Sequence, residues 1–130
     1  MTTQLTTKLE IKSWDEQPYQ EDGDRKFTHA KVVLTSADLD GSWTALMYYR
    51  PDGTSTYVGL MELTGRLGES SGSFVLQCTG TFDGTSARVD LAVVPGSGTG
   101  DLTGITGSAV SVSTHADYPH WPMVIDYELG

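Results

Sequence analysis

The stretch Trp121-Pro122-Met123-Val124-Ile125-Asp126-Tyr127-Glu128-Leu129 sets Trp121, Met123, Ile125, Tyr127 and Leu129 at alternate positions, with Pro122, Val124, Asp126 and Glu128 between them. That two-residue repeat belongs to an extended chain with one buried face, because successive strand side chains point to opposite sides, whereas a helix returns its apolar residues at three and four. Pro122 has no N–H to give and is tolerated only near a strand's start. The same alternation runs from Phe74 to Phe82, with Phe74, Leu76, Cys78 and Phe82 on one face and Val75, Gln77, Thr79 and Thr81 on the other. Six more segments read as strands, at about 4–14, 26–37, 42–50, 54–65, 88–94 and 108–115, which makes roughly eight.

Short turns separate them. Arg50-Pro51-Asp52-Gly53-Thr54 places proline where φ near −65° is wanted and glycine where φ must be positive, so it reverses the chain. Asp40-Gly41 and Asp83-Gly84 are further reversal signals, and Leu67-Gly68-Glu69-Ser70-Ser71-Gly72 reads as a longer loop. Consecutive strands are then antiparallel neighbours. A flat meander would leave two unpaired edges, which closure into a barrel satisfies. The expected fold is an all-β, closed, eight-stranded antiparallel up-and-down barrel, with a two-sheet sandwich as the alternative. At 130 residues the chain makes one domain, 1–130.

Two segments interrupt the meander. Residues 15–24 hold Asp15, Glu16, Glu21, Asp22 and Asp24 with no base, which reads as a solvated loop, with cation binding or a cover over a barrel mouth as the alternatives. Residues 95–107 are glycine-rich, and Leu102 and Ile105, three apart, suit a short helical turn near 100–106 that plugs one end.

Composition excludes several function classes. A formal net charge of −9 with no basic patch argues against nucleic acid and anionic membrane surfaces. No apolar run approaches the ~18 residues of a membrane span. The N-terminal stretch lacks a basic region followed by an apolar core, and Cys78 is the sole cysteine, so the expected address is the cytoplasm. The glycines at 96, 98, 100, 104 and 107 miss both phosphate-cradle spacings, so no nucleotide cofactor is expected. Gly68-Glu69-Ser70-Ser71-Gly72 spells a nucleophile-elbow string in a β context, where the strand-to-helix turn it needs is missing. His29, His115, His120 and Cys78 have no metal-site spacing, and no metal is expected.

The strings Tyr57-Val-Gly-Leu60, Gly72-Ser-Phe-Val-Leu-Gln77, Gly80-Thr-Phe82, residues 94–107 and Asp126-Tyr-Glu-Leu129 resemble a bacterial family of small proteins of unknown function. That family is similar to the allene oxide cyclase and dirigent barrels, of calycin type, in which a comparable glycine-rich stretch precedes the penultimate strand. The resemblance implies an eight-stranded barrel with a small-molecule lumen. Glu10-Ile11-Lys12 resembles the cyclase Glu-Ile-Asn string, which implies an acidic pocket group at Glu10; Lys12 stands where the cyclases carry Asn.

Alternation puts Asp90, Asp126 and Glu128 opposite the apolar faces of their strands, while Glu62 shares a face with Val58 and Leu60, and Glu10 with Lys12 and Trp14. If those faces line the lumen, the acids sit in low dielectric and can orient or protonate a ligand. Trp14, Trp43, Tyr49, Tyr57, Trp121 and Tyr127 supply flat apolar walls with a few polar tips, or else fill the interior. The leading expectation is a binder of a small apolar or amphipathic molecule, with Glu10, Lys12, Trp14, Glu62 and Tyr127 as contacts. An isomerase or cyclase acting on an unsaturated or epoxide-bearing compound is the second reading. A scaffold barrel with a filled interior is the third, in which outward aromatics mark a homo-oligomer interface.

Overall fold

The computed structural model describes residues 2–129. Its strands are β1 (Thr3–Asp22), β2 (Arg25–Thr35), β3 (Leu39–Tyr49), β4 (Ser55–Leu67), β5 (Ser70–Phe82), β6 (Ser86–Val93), β7 (Thr106–Thr114) and β8 (His120–Glu128). Each pairs antiparallel with the next, and β8 pairs back onto β1 from Thr3↔Tyr127 to Glu10↔His120, so the sheet is a ring in chain order. Among the described residues, two single-turn 3₁₀ segments, Gly100–Leu102 and His115–Asp117, break the β structure. Among the described residues no helix is long and apolar enough to cross a membrane.

Alternation carries the core. Phe74, Leu76 and Cys78 on β5, and Trp121, Met123, Ile125 and Tyr127 on β8, are all buried, as their two-residue repeat requires. The Arg50–Thr54 hairpin closes with Gly53 at φ 90° and an N–H from Gly53 to the Arg50 carbonyl at 3.0 Å. At the next hairpin, Asp83 Oδ1 accepts from the backbone of Thr85 and Ser86.

Three expectations are corrected. Residues 15–22 are not a loop: they form the second half of β1, paired with β2 as far as Asp22↔Arg25. Their inward side chains, including Glu16, pack over buried positions of β2, so the acids lie along a paired strand. Asp40-Gly41 lies inside β3, and the reversal falls at 36–38, where Ser36 Oγ accepts from Leu39 N–H. The 67–72 loop shrinks to a two-residue turn, with Leu67 paired to Ser70 and Gly68 at φ 62°.

One end of the ring is plugged. β6 pairs β5 only from Leu76 onward, which leaves the start of β5 with a bare edge. The glycine-rich segment covers it: Asp101 Oδ2, Thr99 Oγ1 and Ser97 Oγ accept from the backbone N–H groups of Ser71, Ser73 and Val75. Acceptors two residues apart match donors two residues apart, so Ser97, Thr99 and Asp101 finish a sheet edge with side chains. Gly72 and Gly98 allow the approach, since a Cβ on either would lie within about 2 Å of the carbonyl of Thr99 or Leu102. Leu102 and Ile105 turn inward and are buried, as the sequence predicts.

Candidate functional site

The opposite end stays open for reasons of register. β7 pairs β8 only through Thr106–Val110, so Ser111–Thr114 part from the start of β8, and the 114–120 connection arches across the gap. On β1 a bulge between Ile11 and Ser13 shifts the register, and Ile11 N–H donates to the Pro119 carbonyl at 2.8 Å. The extra residue puts Ile11 opposite Leu34 and Trp14 opposite Val32, both inward positions of β2. Between these elements lies a cavity of about 350 Å³, with Trp43, Tyr57 and Trp121 among its walls and Trp14, Tyr49 and His120 also lining it.

Its walls are aromatic and locked edge to face. Trp43 meets Trp14, Tyr57 and Trp121 with ring centroids 5.9, 5.7 and 5.1 Å apart, the arrangement that ring quadrupoles favour. The Tyr57 ring packs against Gly80, where a Cβ would fall 2.1 Å from a ring carbon. Without a side chain at position 80, the ring rests against the wall.

Polar groups enter sparingly. Ser55, Tyr57 and Ser111 line the cavity, and their hydroxyls have no hydrogen-bond partner among the described residues. Among the described residues no Asp, Glu, Lys or Arg lines it. The indole N–H groups of Trp43 and Trp121, both wall residues, are buried without a nitrogen or oxygen partner, and that of Trp43 faces the Cys78 thiol. Burial pushes the Tyr57 hydroxyl up to about 12, so it stays a neutral donor. The same cause takes the Cys78 thiol up to about 12, as fits a core cysteine.

Behind Tyr49 stands the carboxylate of Glu16. It accepts from Tyr49 OH and Thr28 Oγ1 at 2.6 Å each and from Trp14 Nε1 at 2.9 Å. Partial burial pushes its pKa up, but the bonds from Thr28, Tyr49 and Trp14, with help from Lys26, outweigh this and hold it below the ordinary carboxylate range. Burial and the Glu16 bond together push the Tyr49 hydroxyl well above its usual value. The group ties the flared half of β1 to β2 and β3 at the mouth.

Of the five sequence candidates, Trp14 lines this cavity. The bulge places Glu10 and Lys12 on the outer wall, apart from Trp14, where they pair with each other at 3.1 Å. Glu62 does share a face with Val58 and Leu60, and that face is the exposed one. Tyr127 points inward but sits toward the plugged end, near Gly68. The nucleophile-elbow string spans the β4–β5 turn and the start of β5. Among the described residues no three of His, Cys, Asp and Glu converge as a metal site; the His115 side chain lies outside them.

Ser55, Ser111 and Glu16 were not singled out by the sequence reading. A signal for Ser111 exists: β7 carries Val110 and Val112 outward while Ala109, Ser111 and Ser113 face in. A strand with serines inside and valines outside marks a height at which the interior is not a packed apolar core.

Over residues 5–121 the sequence matches the model of a family described as a protein of unknown function, DUF3224. A crystal structure of a protein of unknown function from that family, from Shewanella oneidensis MR-1, is similar across 100% of this chain and 99% of that one, with a TM-score of 0.76 and 23% identity. That likeness extends to the fold. No curated protein matches the sequence.

Proposed function

The chain belongs to the DUF3224 family, and on that premise we propose that it is a non-catalytic binding protein that takes a small apolar or amphipathic molecule into the open end of a β-barrel. One observation carries this reading: the 350 Å³ cavity is walled by aromatic rings and bears few polar groups. That volume sits near the lower end of the usual range for small-molecule sites, about 300–1,000 Å³, so the ligand is compact. Kinship with the allene oxide cyclase and dirigent barrels belongs to the same proposal, supported by the ring of strands and the glycine-rich plug.

The cyclase reading is the weaker one. It relies on Glu10 as the pocket acid, and Glu10 stands outside, paired with Lys12. No carboxylate lines the cavity, and Glu16 is already engaged by three donors. A filled scaffold fits less well, since the open end is not filled. Aliphatic rather than aromatic residues offer an outer apolar patch: Leu46, Val58 and Leu60 are half-exposed and adjacent on β3 and β4, which supports a homo-oligomer joined on that wall.

Thermal unfolding in the presence of a library of small apolar and ring compounds tests the proposal. A ligand at a hundred times its Kd stabilises by about 2.7 kcal/mol, a shift of several degrees. Absence of stabilisation across the library contradicts it. Sedimentation of wild type against Leu60→Glu tests the second reading.

A further inference from the structure

We propose that the cavity selects a neutral, planar ring compound carrying one oxygen hydrogen-bonding group, which seats against the hydroxyls of Ser55, Tyr57 and Ser111. This rests on the binding reading above and names its ligand class.

The argument begins with which polar atoms are spoken for. At the mouth, Tyr49 and Thr28 give their hydroxyl hydrogens to Glu16, and Thr114 Oγ1 donates to Asp117. Deeper in, Ser55, Tyr57 and Ser111 are only 2%, 5% and 3% exposed, yet their hydroxyls have no protein partner among the described residues. They are also absent from the buried side-chain nitrogen and oxygen atoms that lack a partner, which among the described residues are the two indole nitrogens, so each hydroxyl keeps some accessible surface. Hydroxyls without partners on residues this enclosed, in a cavity wall, are available to a molecule inside it.

Register brings these hydroxyls together. Tyr57 pairs with Gly80, Gly80 with Val89 and Val89 with Ser111, so Tyr57 and Ser111 stand at one level across four strands. Ser55 lies one inward step nearer the mouth on β4. Gly80, between them, lets the Tyr57 ring lie back against the wall, which leaves the cavity side of the ring for the ring compound's polar end.

Charge sets the second half of the class. An ion in this cavity would be desolvated with no Asp, Glu, Lys or Arg among the described lining residues, and the one lining imidazole, His120, is exposed to solvent, which disfavours either sign. An anion faces two further obstacles, the ionised Glu16 behind Tyr49 and a net charge of −9. Tyr57, held protonated by burial, offers a hydrogen to an uncharged oxygen, and the serines can donate or accept. Shape follows from the edge-to-face cluster around Trp43, which offers flat surfaces.

The test compares three probes of nearly one shape: naphthalene, naphthol and naphthoate. All three tryptophans line the cavity, so quenching of their emission reports occupancy. Naphthol should bind about tenfold or more tighter than naphthalene, and naphthoate should bind weakest. In Tyr57→Phe, naphthol affinity should fall about fivefold to tenfold while naphthalene changes by less than about twofold; Ser111→Ala should act in the same direction. Naphthalene binding as tightly as naphthol, naphthoate binding best, or both variants leaving naphthol unaffected would each overturn the inference while leaving a binding cavity in place. If none of the three probes quenches, the binding reading itself fails.

Discussion

Replacing Gly80 by alanine tests how the sequence keeps the cavity open. A Cβ at this position falls 2.1 and 2.6 Å from Cε2 and Cζ of Tyr57 and 2.9 Å from the Arg88 carbonyl oxygen. Ordinary carbon contacts lie near 3.5–4.0 Å, so the ring must move by more than about 1 Å. Trp43, edge-on at 5.7 Å, restricts that movement, and the remaining free direction is into the cavity. Overpacking of this kind costs about 1–3 kcal/mol, which for a domain of this size lowers Tm by roughly 4–12 °C. Naphthol affinity should fall with it, because the displaced ring occupies ligand space. Circular dichroism melts and the tryptophan-quenching titration measure the two effects. The double variant Gly80→Ala with Tyr57→Leu separates this clash from any general effect of alanine: removing the ring should recover most of the loss, a coupling of about 1 kcal/mol or more. A Gly80→Ala protein that melts and binds like wild type refutes the reasoning, as does a double variant with purely additive losses.

Other perturbations probe the mouth, the plug and the core. The pKa of Glu16 is lowered by folding, so its contribution is complete above the ordinary carboxylate range and disappears as pH falls through the folded value. The stability gap between wild type and Glu16→Gln should therefore be about 1 kcal/mol near neutrality and close on acidification, whereas a constant gap in denaturant titrations between about pH 6 and 3 would contradict this. Leu102→Ala empties a fully buried position in the plug and should cost about 2–4 kcal/mol with naphthol affinity unchanged, because plug and cavity are at opposite ends. With its thiol pushed up to about 12 by burial, Cys78 should resist a thiol-exchange reagent at mildly alkaline pH in the folded protein and react on denaturation; rapid labelling of the native state would place it outside the core.

The strands were legible because each carries its period in the residues themselves, and the core faces of β5 and β8 follow directly from it. The faces of β1 were not. A single inserted residue at the bulge reverses inside and outside, and nothing in Glu10-Ile11-Lys12-Ser13-Trp14 marks it, so Glu10 and Lys12 were grouped with Trp14 when they belong to the opposite wall. The acidic stretch misled for a related reason. Charge runs usually belong to loops, yet here one edge of the strand pairs with β2 while Glu16 gathers donors from β1, β2 and β3, a convergence that only tertiary register creates. Glycine carried two kinds of information. The plug near 100–106 was readable from Leu102 and Ile105, but the edge-capping role of Ser97, Thr99 and Asp101 depends on β5 outrunning β6, and the need for Gly80 on where Tyr57 lies. The aromatic walls, Tyr57 among them, were readable, but the serine hydroxyls were not, because serine alternating with valine looks like an ordinary half-exposed strand until the ring shows which side is in.

The most direct measurement is a crystal structure of the protein grown with naphthol. The ring should lie between Trp43, Tyr57 and Trp121 with its oxygen within hydrogen-bonding distance of Tyr57, Ser55 or Ser111. Density for the compound on the outer wall over Leu46, Val58 and Leu60, with side chains filling the open end of the ring, would contradict the account.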